Sequence, residues 1–286
     1  MKSTTLVVTR PSGQASALTE ALQAAIADKA ATRTGQDWQA PQILALPLLT
    51  IVPKSDPNVA AAIRAAMQTA DFAVFVSPNA IECTMRLLGD DWQSIAQRPI
   101  PIGVVGQSSY HALERHGIGR EAKTPTPIWM PGNPAQWDSE GLWEAIQHRF
   151  SSWAGRRVVV FRGDGGREWL ADQLQAVGAQ VEAIAVYSRI PLSESSPQWE
   201  KVLNANTDEA LLILTSSEAV RHLGAVLKQQ GRQDYLASAS ALCPHHNIAR
   251  SAHEIGFGTV LECHSGDAAL VSAAINWLEA ESKKPH

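Results

Sequence analysis

The residues that could carry chemistry sit in short loops, each just after an apolar run. Tyr187 follows Gln180-Val181-Glu182-Ala183-Ile184-Ala185-Val186, an alternating stretch that reads as a strand. That strand is expected to end at Tyr187, where the chain should leave one domain. A phenol there could donate a proton or a hydrogen bond in a partly buried site. The same position suits an amphipathic tyrosine with its tip in water. Ser77 closes the apolar run 71–76, and Ser216 with Ser217 closes the matching run 210–215. Gly106, Ser108 and Ser109 follow Ile102–Val105, and Asn247 follows Leu242–His246. Arg10 and Arg162 end two further runs, and Gly163 lies in the glycine-rich segment Arg162–Glu168. If helices start in these loops, their unpaired N–H groups and positive dipole ends would meet a carboxylate or phosphate. The plainer alternative is that the serines only cap helices and the glycines only permit tight turns.

Other chemistries find little support. Arg162-Gly163-Asp164-Gly165-Gly166-Arg167-Glu168 lacks the Gly-Lys-Ser/Thr of a phosphate-cradling nucleotide loop, and its glycine spacing is wrong for a dinucleotide fold. Cys83, Cys243 and Cys263 are odd in number and scattered, which argues against a disulfide framework. Cys243 near His245 and His246, and Cys263 beside His264, lack the paired short spacings of a structural zinc site, so no metal is expected. There is no Ser-His-Asp order, no paired catalytic carboxylate motif and no His-Glu-x-x-His. Nine tryptophans, with Trp38, Trp92, Trp137 and Trp153 in or near connecting segments, look like packing anchors rather than a nucleic-acid stacking platform. The formal net charge of −4 gives no global basic field for nucleic acid or an anionic membrane. No apolar run is long enough to span a bilayer, and Met-Lys-Ser-Thr-Thr leads straight into Leu6-Val7-Val8 without a secretory h-region. A cytoplasmic protein is expected.

Among the elements that must hold these loops, one unit occurs twice. Leu6–Gln23 aligns without gaps on Val158–Gln175: Arg10 meets Arg162, Gly13 meets Gly165, and Leu18 and Leu22 meet Leu170 and Leu174. Each copy reads strand, glycine-containing loop, helix. Runs 71–81 and 210–220 match in the same way, as do the strand–helix pairs starting at Ile102 and Leu242. Near-continuous apolar strands alternating with helices predict α/β layers around parallel sheets. Ligands bind such sheets beyond the carboxyl ends of the strands, so the site is expected where the two copies face each other. Ser139-Glu140-Gly141-Leu142 should start a helix capped by Asp138 or Ser139. The polar stretch 31–42 interrupts the first copy as an inserted loop. With 286 residues, two domains are expected.

Taken in order, these motifs resemble the uroporphyrinogen-III synthase family over nearly the whole chain. The resemblance rests on Thr9-Arg10-Pro11, Phe75-Val76-Ser77-Pro78-Asn79-Ala80, Val104-Val105-Gly106 and Ser139-Glu140-Gly141-Leu142. It continues through Arg162–Glu168, Gly178-Ala179, Val186-Tyr187-Ser188-Arg189 and Leu214-Thr215-Ser216-Ser217. It implies two similar three-layer α/β domains with parallel sheets, joined by a two-stranded linker, one domain being discontinuous. Residues 1–46 and 191–286 would form one domain and 50–186 the other, with linkers near 47–53 and 187–192. It implies cyclisation of hydroxymethylbilane, a linear tetrapyrrole with eight carboxylates, with inversion of the last pyrrole ring and loss of water through a spiro intermediate. No metal or organic cofactor is implied, no nucleic acid or membrane partner, and a monomer is expected. Tyr187 matches a tyrosine thought to assist loss of the hydroxyl. Ser77, Ser109 and Ser216 match positions linked to substrate contact. Where some relatives have a threonine in the last loop, this chain has Ile248 beside Asn247, leaving main-chain N–H groups for contact there. The rival reading is a two-domain protein that closes on an anionic ligand without chemistry, as a binder or sensor.

Overall fold

A computed structural model of the chain describes residues 4–32, 40–89, 92–95, 98–119, 125–133, 136–165, 168–204 and 209–282. Most of the 31–42 insertion, with Trp38, and Gly166 and Arg167 of the glycine-rich loop lie outside the described residues. Along the chain come β1 (Thr5–Val8), α1 (Ser16–Thr32), β2 (Gln42–Ala45), β3 (Leu49–Pro53), α2 (Pro57–Thr69), β4 (Phe72–Phe75), α3 (Pro78–Leu88) and α4 (Trp92–Ile95). There follow β5 (Ile102–Val104), α5 (Gln107–Arg115), β6 (Ile128–Trp129), α6 (Ser139–Ile146), β7 (Arg157–Gly163), α7 (Trp169–Ala176) and β8 (Gln180–Pro191). The last part holds α8 (Gln198–Leu203), β9 (Ala210–Ile213), α9 (Ser217–Gln229), α10 (Asp234–Ser238), β10 (Ser240–Cys243), α11 (His246–Ile255), β11 (Thr259–Glu262) and α12 (Asp267–Glu281).

These elements form two compact units: a split unit of residues 1–50 with 190–286, and a continuous unit of residues 51–189. In the split unit the sheet order is β11-β10-β9-β1-β2, with parallel pairing throughout. In the second sheet the order is β3-β8-β7-β4-β5-β6, and β8 through β6 are parallel. Strand by strand, β11-β10-β9-β1-β2 corresponds to β6-β5-β4-β7-β8, so the two sheets share one order and β3 is the addition. The linear repeat and the spatial unit therefore differ. Each compact unit takes its β1-like and β2-like strands from one copy of the repeat and its remaining strands from the other.

The apolar strands are continuous because both faces are covered. In β1, Leu6 and Val8 pack with Leu18 and Leu22 of α1 and Leu270 of α12, whereas Val7 packs on the opposite face with Val220 and Leu223 of α9. In β4, Phe72 and Val74 face Leu142 of α6 and Leu174 of α7, whereas Ala73 and Phe75 face Ile63 of α2 and Ile81 of α3. This is the period-2 alternation of a strand, with helices on each side. Each of these side chains larger than alanine contributes roughly 1.5–3 kcal/mol on burial. Phe72 adds an aromatic cluster, stacked at 5.3 Å on Trp129 and edge-on to Phe150 and Trp153 at 6.1 and 5.6 Å.

Helix starts follow the serines and aspartates. Ser77 caps α3, Ser216 caps α9, and Asp138, not Ser139, caps α6 by accepting the Gly141 N–H at 2.8 Å. One expectation is corrected: β8 does not stop at Tyr187 but continues to Pro191. The continuation is stabilised by β3, its neighbour in the sheet. Lys54 N–H donates to Val186 O and Leu192 N–H to Leu48 O, both at 2.9 Å, at the two ends of this pair. Residue numbers fall on one strand as they rise on the other, so β3 and β8 run antiparallel.

Candidate active site

The continuous unit gathers its polar groups at the carboxyl ends of β4 and β7 and beside the register irregularity within β8. Across β7 and β8 the register is Arg162 opposite Ala185 and then Gly163 opposite Tyr187, with the irregularity between Arg162 and Gly163. The extra residue on β8 is a bulge, which re-aims the side chain that follows. Tyr187 consequently lies over Gly163. A Cβ at that glycine would sit 2.6 and 2.7 Å from two ring carbons, so the ring's position requires the missing side chain. Tyr187 is 2% exposed, which removes the alternative of a tyrosine tip in water. Its hydroxyl lies 3.2 Å from the Ser77 hydroxyl, which also accepts the Ala80 N–H at 3.2 Å as the cap of α3.

Four residues without an assigned role form a network beside this pair. Arg189 Nη1 donates to the Tyr187 hydroxyl at 3.4 Å, and its guanidinium carbon lies 5.7 Å from the ring centroid. Arg189 Nη2 donates to the Asp164 carbonyl at 3.1 Å, while the Asp164 N–H donates to the Tyr187 carbonyl at 2.8 Å. The Asp164 carboxylate accepts Lys54 Nζ and Ser188 Oγ, each at 2.6 Å. The Lys54 hydrogen bond first, then that of Ser188, hold the Asp164 carboxyl below the usual carboxylate range. Lys54 and Asp164 are 110 residues apart, and no local pattern links them.

Other expected site residues fall at neighbouring strand ends or already have protein partners. Gly106 precedes α5 with extended backbone and no side-chain cap, and the Trp137 ring packs on it: a Cβ there would lie 3.1 Å from that side chain. Ser108 is exposed in the first turn, but Ser109 is 1% exposed and faces inward. Arg162 donates to Glu168 at 3.3 Å and to the Gly165 carbonyl, tying its own loop together. In the split unit, Arg10 makes a two-pronged ion pair with Asp267, at 2.5 and 3.1 Å, so its charge is matched within the protein. Ser216 caps α9 through the Ala219 N–H, at 3.4 Å. Ser217 Oγ donates to the Asn247 carbonyl at 3.1 Å, which joins the starts of α9 and α11. The cap of α11 is His245, whose Nδ1 accepts the Asn247 N–H at 3.2 Å. Ile248 is buried, so its side chain packs inward.

Burial pushes the Cys83 thiol up to about 11 and the Cys243 thiol up to about 12, so neither is a ready thiolate. Among the described residues, no three His, Cys, Asp or Glu side chains are grouped to hold a metal ion. No helix among them is long and apolar enough to cross a membrane.

Comparison with known proteins decides the lineage. Residues 41–271 match the family model described as "Uroporphyrinogen-III synthase HemD". The chain belongs to the uroporphyrinogen-III synthase family. The uroporphyrinogen-III synthase of Escherichia coli (strain K12) is 27% identical over 118 residues, which are 40% of this chain and 46% of that protein. That of Synechococcus elongatus is 27% identical over 240 residues, 83% of this chain and 80% of the relative. Thus the chain matches somewhat less than half the length of the E. coli relative and four-fifths of the cyanobacterial one. Among solved structures, a mutant uroporphyrinogen III synthase from Thermus thermophilus aligns with a TM-score of 0.63 at 16% identity, covering 99% of this chain and 100% of that one. The Helicobacter pylori uroporphyrinogen-III synthetase aligns at 0.55 and 13% identity, covering 97% and 100%. At these identities the likeness concerns the fold, and it supports two α/β domains of the uroporphyrinogen-III synthase type.

Proposed function

We propose that this chain cyclises hydroxymethylbilane to uroporphyrinogen III, with inversion of the last pyrrole ring and release of one water. The family match over residues 41–271, which encloses both Ser77 and Tyr187, carries this reading. Tyr187 is the proposed acid. Its phenol gives a proton to the departing hydroxyl of the linear substrate, the carbon–oxygen bond breaks, and water leaves. The carbon so released bonds to the substituted α-carbon of the last pyrrole ring and makes it a spiro centre. The bond from that ring carbon to its original bridging carbon then breaks, and the bridging carbon re-bonds at the ring's free α-carbon. The proton lost there returns to the Tyr187 phenolate, leaving the macrocycle with that ring reversed. No oxidant, reductant or metal enters this balance, and none is proposed.

Holding the substrate matters as much as protonating it, because a flexible tetrapyrrole must meet itself end to end. The substrate contacts we propose are Ser77, Gly106 and Ser108 in the continuous unit and Ser216, Ser217 and Asn247 in the split unit, with main-chain N–H groups at helix starts receiving carboxylates. Gly163 contributes by giving Tyr187 its place. Arg10, Arg162 and Ser109 are supported less by their settings, since the two arginines are matched internally and the serine is buried. A cytoplasmic monomer without nucleic-acid or membrane partners fits this chemistry.

Tyr187→Phe tests the assignment, because it removes one oxygen and leaves the ring over Gly163. Turnover of hydroxymethylbilane to the type III ring should fall about 10²-fold or more, the range for a positioned acid, with thermal unfolding little changed. Unchanged turnover would reduce Tyr187 to a structural residue.

A further inference from the structure

Every polar contact of the Tyr187 hydroxyl given above comes from a group that can donate. Arg189 can only donate, since a guanidinium has no acceptor. It supplies Nη1 to the phenol oxygen at 3.4 Å. The Ser77 hydroxyl, at 3.2 Å, can give its proton either way, but its oxygen already accepts the Ala80 N–H. If Ser77 also donates, both lone pairs of the phenol oxygen are filled from within the protein. The phenolic hydrogen must then point away from both partners, where a substrate can take it. The guanidinium also brings a fixed positive charge beside the oxygen that becomes negative as that hydrogen leaves.

Arg189 is itself held. Its second nitrogen, Nη2, donates to the Asp164 carbonyl at 3.1 Å. Asp164 in turn is fixed by its N–H on the Tyr187 carbonyl and by Lys54 and Ser188 on its carboxylate. The chain from Lys54 through Asp164 to Arg189 thus closes on both the main chain and the hydroxyl of Tyr187. We propose that Arg189 is a positioning residue for the reaction: it orients the Tyr187 hydroxyl as a proton donor and stabilises the charge that develops on it, with Asp164 and Lys54 holding the guanidinium in place. This rests on the proposed role of Tyr187 in ring closure.

The test is a double-mutant cycle in the full chain, with Tyr187→Phe, Arg189→Gln, Arg189→Lys and the Tyr187→Phe/Arg189→Gln pair, measured as type III formation from hydroxymethylbilane. Arg189→Gln should lower kcat about tenfold with KM little changed, a part of the roughly 10²–10⁴-fold that a positioned acid supplies. Arg189→Lys should recover part of the loss. In the Tyr187→Phe background, Arg189→Gln should cost almost nothing further, because the group it serves has gone. A full and independent loss in that background overturns the inference and leaves Arg189 as a direct substrate contact or a structural residue, as does a loss confined to KM. Thermal unfolding of each variant separates misfolding from these outcomes. An unmutated chain that forms no type III ring overturns the functional reading and this inference together, whereas an active chain with a purely additive cycle overturns the inference alone.

Discussion

At the scale of single residues, the proposed chemistry turns on how closely Tyr187 is packed and bonded. Gly163→Ala places a methyl where the tyrosine ring lies, 2.6 Å from its nearest carbon, so ring or strand must shift. Type III formation should fall at least tenfold, a displacement of the acid of the kind that costs up to about 10²-fold; wild-type kinetics in this variant would mean the ring position does not matter. Asp164 yields a prediction in pH. Its folded pKa is depressed, first by Lys54, so it stabilises the fold above the usual carboxylate pKa of about 4 and loses that contribution as pH falls through its lowered value. The stability margin of the wild type over Asp164→Asn should be full at neutral pH and shrink in acid, as read by thermal unfolding; a margin constant with pH contradicts the assignment. The sequence announced Tyr187 and Ser77, because each closes an apolar run. It was silent on Asp164, Lys54 and Arg189 as a group, since their association depends on β3, β7 and β8 meeting. Arg10 likewise shows a long-range link: it ends an apolar run in the sequence, and its ion-pair partner Asp267 is 257 residues away.

At the scale of elements, strands and helix starts were legible because their causes are local. A strand covered on both faces must be apolar throughout, and a helix start needs an acceptor for its unpaired N–H groups. Register was not legible. Periodicity tells which face a side chain takes but not which strand lies beside it, so the continuation of β8 past Tyr187 along β3 could not be read from residues 180–187. The aromatic layer around Phe72 supplies a stability test independent of chemistry. Phe72→Ala removes a ring that meets Trp129, Phe150 and Trp153, and should cost about 3–5 kcal/mol in denaturant unfolding. Gly103→Ala crowds the same ring, since its Cβ would lie 2.7 Å from Phe72 Cζ, and should cost about 1–3 kcal/mol by overpacking. Losses below about 1 kcal/mol at both positions would show that this layer is not tightly packed.

At the scale of the whole chain, the duplication acquires a specific form. Two copies of one strand–helix pattern follow each other in sequence, yet each sheet draws strands from both copies. The repeat was legible because matched glycines and leucines keep their spacing: Gly13 and Gly165 occupy the same left-handed turn after their strands, at φ 81° and 64°. The exchange between copies is set by strand edges far apart in the chain, and only the family resemblance pointed to it beforehand. What this architecture is proposed to achieve is control over which end of a flexible tetrapyrrole closes on which carbon. The most direct measurement is therefore the isomer formed when the purified chain meets freshly prepared hydroxymethylbilane, with the products oxidised and resolved against a protein-free control. Unaided closure yields the type I ring. Predominantly type III is expected in the presence of the protein, and type I alone, at the unaided rate, would contradict the proposed function.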